Sequence, residues 1–109
     1  MDIKKRIESV LKAEANAINS IEVTEEFVKA VSVMQWRTGK IITTGIGKAG
    51  HIANKFAATL CSTASQAQFL HPAEAAHGDL GAVSPGDILI AFSTSGKSRE
   101  VLELSLIHI

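Results

Sequence analysis

The sequence has 109 residues, 46% of them apolar and 20% charged, which limits it to one globular domain. Eleven basic and eleven acidic residues cancel, so no net field draws the chain to nucleic acid or to a membrane surface. A single cysteine excludes an internal disulfide, and no apolar run approaches the ~20 residues that a bilayer span needs.

Taken in chain order, Ile3, Ile7, Val10, Leu11, Ile18 and Ile21 recur at helical spacing between Lys, Arg and Glu, which predicts an amphipathic helix over 2–20. This charged start is unlike a signal peptide, and with the unpaired cysteine it places the chain in the cytoplasm. Thr24, Phe27, Val28, Val31 and Met34 predict a second helix ending near Thr38-Gly39, with Gly39 as its C-cap and Trp36 as a packing anchor. Neither helix carries chemistry, and residues 1–38 read as an arm that packs on the domain or on another subunit.

From residue 39 the pattern changes. Lys40–Thr44 is a β-branched run, Gly45–Gly50 a glycine loop, and His51–Ala64 a helix in which Cys61 reads as a core thiol. Gln66–Leu70 reads as a second strand, His71–Pro85 shows no clear period, and Ile88–Phe92 reads as a third strand. Strand, loop and helix in repetition predict an α/β fold, a parallel sheet with crossover helices. In such sheets ligands bind beyond the carboxyl ends of the strands, which places the loops at Gly45, His71 and Ser93 along one edge.

Three motifs could carry chemistry. Ser93-Thr94-Ser95-Gly96-Lys97-Ser98 follows a buried strand and precedes a helix resuming at Glu100. Small hydroxyls and a glycine there can cradle an anion at a helix N-terminus, or can simply cap the helix. Gly45-x-Gly47-x-x-Gly50 matches a dinucleotide fingerprint in letters only, since the second strand ends Phe69-Leu70-His71-Pro72 with no acidic residue to hold a ribose. It is not a P-loop, because Ala49 follows Lys48 where Ser or Thr is needed. What remains is a loop that admits a ligand to the backbone, with the Lys48 ammonium beside Gly47. The segment His71–Asp79 holds two imidazoles and two carboxylates in nine positions. Acid–base work suits it better than a metal, since neither HExxH nor a cysteine pair is present. His51 opens the preceding helix, and the pattern does not decide whether it faces the site.

Together, Thr44–His51, His71–Gly81 and Ser93–Glu100 resemble the sugar isomerase (SIS) domain. The stretch HPAEA-x-HGDLG is the specific part, and it points to the arabinose-5-phosphate isomerases. The resemblance covers roughly residues 1–103 and implies a SIS-type, flavodoxin- or Rossmann-like sheet preceded by two helices. It implies interconversion of ribulose 5-phosphate and arabinose 5-phosphate through an enediol, supplying the Kdo sugar of lipopolysaccharide. By the same resemblance Gly47, Ser93, Thr94, Ser95, Gly96 and Ser98 hold the substrate and its phosphate. Lys48 steadies negative charge, Glu100 is a candidate base, and His77 assists ring opening or proton transfer. No cofactor is required; family members can bind zinc near the histidine loop, often as an inhibitor, so His77 is also a candidate metal ligand.

The expected partner is a phosphorylated pentose, not nucleic acid or membrane, and the full-length protein is expected to be a homo-oligomer. Two departures from the family pattern stand out: Ala49 replaces a usual serine, and the sequence ends before the remaining strands of a SIS domain. The expectation is therefore a single incomplete domain over 1–109, an amino-terminal fragment with half its active site. A non-catalytic sugar-phosphate sensor is the alternative. Such regulators usually carry a longer and more basic DNA-binding segment ahead of the domain than the residues before Gly39, and the histidine loop also argues against a mere sensor.

Overall fold

A computed structural model describes residues 2–76 and 79–93. The chain divides into two compact units, residues 1–31 and 32–109.

In the first unit, helix α1 (Ile3–Asn19) starts where the Asp2 side chain accepts from the Lys5 N–H at 3.2 Å. It ends at Ser20, whose N–H reaches the Asn16 carbonyl at 3.0 Å. Its apolar residues Ile3, Ile7, Val10, Leu11 and Ile18 are exposed. Helix α2 (Glu25–Gln35) carries Glu25 and Glu26 in its first turn, where the helix dipole favours them. It stops short of the predicted end, so Gly39 is not its C-cap. In the segment 36–39 Arg37 and Gly39 are half-buried, whereas Trp36 is 78% exposed rather than an anchor.

The second unit holds a three-stranded parallel sheet of β1 (Ile41–Thr44), β2 (Ala67–Phe69) and β3 (Ile88–Ala91) in the order β2-β1-β3. In the register Ile41 lies opposite both Ala67 and Ile88, and Thr43 opposite Phe69 and Ile90. All four residues of β1 are buried, as expected for a central strand covered on both faces. Helix α3 (Lys48–Ser62) covers one face with Gly50, Ala53 and Ala57, small residues at helical spacing that let it lie close to the strand. On that side the Thr43 hydroxyl, fully buried, donates to the Ala53 carbonyl at 2.7 Å. On the other side Ile42, Leu70 and Ala75 form a core, with Val83 and Leu89 packed against it. Ala75 belongs to α4 (Pro72–Ala76), which a 3-10 turn at Asp79–Ala82 follows; both lie in the stretch that showed no period in the sequence.

Cys61 does not join the core. It continues the stripe of Ala53 and Ala57 but lies near the end of α3, at the sheet's amino edge, where it is exposed and its thiol donates to the Ala67 carbonyl at 3.0 Å. The same edge is clamped by an ion pair between Lys40 Nζ and Asp87 Oδ2 at 2.7 Å, with side chains 17% and 3% exposed. Asp87 also accepts from the Lys40 N–H at 2.9 Å and the Ser84 N–H at 2.7 Å, which ties the starts of β1 and β3 together. Gly39 lies against Asp87, where a Cβ would collide with it.

Candidate functional site

The order β2-β1-β3 sends the chain from β1 to one side through α3 and then back across β1 to β3. The switch point therefore falls between β1 and β3, and the crevice beyond their carboxyl ends is the default ligand position. Three backbone links place the walls of that crevice. The Phe92 N–H donates to the Thr44 carbonyl at 2.9 Å, which carries the pairing of β1 and β3 up to Ser93. The Gly50 and His51 N–H groups reach the carbonyls of Ile46 and Gly47 at 3.3 and 3.1 Å, so α3 begins at Lys48, three residues earlier than its pattern predicted.

That early start changes the reading of the glycine motif. Gly47 has φ +63° and ψ −132°, a conformation that L side chains rarely adopt, and nothing lies within 4 Å of where its Cβ would be. It opens the loop toward space that a ligand can occupy. Gly50 is instead buried inside the first turn of α3, with its missing Cβ facing the Gly45 carbonyl. The motif is thus a three-residue loop, Gly45–Gly47, plus a close helix–loop contact.

Lys48 is the first residue of α3, at its positive dipole end. It is exposed, and among the described residues no carboxylate pairs with it. It lines a cavity of about 330 Å³ together with Ala49, Ile52, Phe92 and Ser93. Phe92 is held there by an edge-on contact with Phe56 of α3, ring centres 5.6 Å apart. Of the residues predicted for the site, Lys48 and Ser93 line this cavity, and Gly47 precedes Lys48 at the end of the loop. His77, Thr94, Ser95, Gly96, Ser98 and Glu100 lie outside the described residues. Phe92 was read only as the end of a strand, because an apolar residue closing a buried run looks like core.

A second cavity, of about 270 Å³, lies between the ends of β1 and β2 on the α3 side, and Gly47, His51, Asn54 and His71 help to line it. His51, undecided from the pattern, thus faces the same edge. A larger hollow of about 570 Å³ runs along β2 past Gln68, His71 and Glu74. It has neither the glycine loop nor a long helix start, so the two smaller cavities are the better ligand site. Among the described residues no three His, Cys, Asp or Glu side chains come together to hold a metal. Among them also no helix is long and apolar enough to cross a membrane.

Comparison with known proteins agrees with this geometry. The SIS domain family model matches residues 34–107. The arabinose 5-phosphate isomerase KdsD of Shigella flexneri is 42% identical over 105 residues, which cover 94% of this chain and 32% of that protein. The chain thus spans about a third of the length of the curated relatives it matches. Among solved structures, a Bacteroides fragilis protein described as involved in capsule formation matches with a TM-score of 0.90 at 43% identity, over 96% of this chain and 57% of that one. The Escherichia coli CFT073 protein c3406, solved in complex with arabinose 5-phosphate, matches with a TM-score of 0.84 at 36% identity, over 99% of this chain and 61% of that one.

Proposed function

Because the chain belongs to the SIS domain family, we propose that it builds the amino-terminal part of a site that interconverts ribulose 5-phosphate and arabinose 5-phosphate. The observation that carries this reading is the Lys48 ammonium, unpaired among the described residues, at the start of α3. It follows the open Gly47 and lines the crevice at the β1–β3 switch point. The arabinose 5-phosphate complex of a relative with the same fold supports the substrate class.

The reaction moves a proton between neighbouring carbons. A base removes a proton from carbon 1 of the ketose, and negative charge develops on the carbonyl oxygen at carbon 2. Protonation of that oxygen, a proton returned to carbon 2 and one lost from the oxygen on carbon 1 complete the aldose. Charge stabilisation at that oxygen is the largest single requirement. In our reading Lys48 supplies it, helped by the dipole of α3. Ser93 and the hydroxyls of Thr94, Ser95 and Ser98, with the Gly96 backbone, hold the phosphate. Glu100 is the base, and His77 assists ring opening or proton transfer.

No redox cofactor enters this chemistry. The setting we assign is cytoplasmic synthesis of the lipopolysaccharide sugar Kdo, in a whole protein longer than these residues that works as a homo-oligomer. Purified whole protein incubated with ribulose 5-phosphate should produce arabinose 5-phosphate, read by NMR, whereas residues 1–109 alone should not. Tight phosphosugar binding with no conversion by the whole protein would favour the sensor instead.

A further inference from the structure

We propose that His71 is the sugar-side contact of this site, its imidazole held so that Nε2–H donates to an oxygen of the sugar portion. The inference rests on the isomerase reading and extends it from the phosphate end to the other end of the ligand.

His71 is fixed from several directions. Immediately before it, the Leu70 N–H donates to the Thr43 carbonyl at 2.8 Å, and the buried Thr44 hydroxyl donates to the Leu70 carbonyl. Immediately after it, its own carbonyl accepts from the Ala75 N–H at 3.0 Å. The ring stands edge-on to Phe69, with centres 6.4 Å apart. Nδ1 accepts from the Ala73 N–H at 3.1 Å. A ring nitrogen that accepts carries no proton, so the neutral imidazole keeps its proton on Nε2. That nitrogen takes no partner among the described residues, and His71 borders both the hollow along β2 and the cavity shared with Gly47, His51 and Asn54.

Capping α4 does not by itself call for a histidine. Ser, Thr, Asp or Asn would accept from the same N–H and are the preferred caps. What histidine adds is a second polar atom on the far side of a rigid ring. The placement also fits the ligand's length. β2 and β3 flank β1, so their ends stand about two strand spacings, ~10 Å, apart. A phosphate at the end of β3 then leaves an extended five-carbon chain reaching across Gly47 toward the end of β2, where His71 sits.

Two substitutions in the whole protein separate the cap from the donor. His71→Asn keeps an acceptor near Nδ1 and loses Nε2, whereas His71→Gln places an amide N–H near Nε2 and gives up the cap. His71→Asn should unfold at the wild-type urea midpoint while kcat/KM for ribulose 5-phosphate falls ~100-fold, the usual loss for one directed donor. His71→Gln should be less stable yet recover part of that loss, and both should bind inorganic phosphate as the wild type does. Wild-type kcat/KM in His71→Asn would overturn the inference and leave the isomerase reading standing. So would equal losses in the two variants that follow their unfolding. A wild-type protein without turnover would overturn the isomerase reading, and the inference with it.

Discussion

Gly50→Ala puts the glycine loop under a defined load. The new Cβ would sit 2.6 Å from the Gly45 carbonyl oxygen, about 0.8 Å inside the 3.4 Å at which ordinary contact begins. The obstacle is backbone, so no side chain can swing aside, and either α3 lifts from β1 or the Gly45–Gly47 loop is displaced. Overpacking of this kind costs about 1–3 kcal/mol. Alanine in place of glycine in a helix returns ~1 kcal/mol. The net expectation is a loss of about 1 kcal/mol, a downward shift of ~0.5 M in the urea midpoint. Turnover should fall much further. Lys48 lies two residues upstream on the same helical turn, and a reacting group misplaced by ~1 Å can cost ~100-fold in rate. Urea unfolding followed by fluorescence, with kcat from NMR of the pentose phosphates, reads both quantities on one preparation. A Gly50→Ala protein ~1 kcal/mol more stable than wild type, with full turnover, would refute the close-approach argument.

Two further predictions concern the scaffold. The Lys40 ammonium and the Ser84 N–H hold the Asp87 carboxylate at a pKa of about 2, against an ordinary value of 3.8. Between those values the unfolded chain binds more protons than the folded one, so the clamp's contribution is complete above pH 4 and is lost as the pH falls toward 2. Melting temperatures across pH 2–5 should show this decline in the wild type, and Asp87→Asn should be less stable near neutral pH and lack that part of the decline. Thr43→Val keeps the shape of a fully buried side chain but removes its hydrogen bond to Ala53; the cost should be about 1 kcal/mol in urea unfolding, with KM unchanged.

The central strand was legible in the sequence because Ile41-Ile42-Thr43-Thr44 is β-branched throughout and only a doubly covered strand buries such a run. Parallel pairing followed from strand–loop–helix alternation, and the position of the candidate site followed from parallel pairing. What was not legible depended on contacts between distant residues. The Lys40–Asp87 clamp joins positions far apart in the chain, and nothing local to either announces the other. The true start of α3 was hidden because three glycines read as one loop, although only Gly47 needs its unusual backbone angles and Gly50 serves a close contact. Side-chain chemistry alone reads Cys61 as a core thiol and Trp36 as a packing anchor, yet their places at an element's end leave them exposed. His71 was visible as a titratable residue in a polar loop. Its tautomer was not, because the Ala73 N–H that sets it belongs to a helix the pattern did not reveal.

In our reading, isomerisation depends on Lys48 stabilising the charge formed at the carbonyl oxygen. The direct test compares wild-type and Lys48→Ala whole protein for conversion of ribulose 5-phosphate to arabinose 5-phosphate, with unfolding midpoints measured alongside. Lys48 is exposed and unpaired among the described residues, so stability should be unchanged while kcat falls at least ~100-fold. Equal kcat in the two proteins would contradict the account.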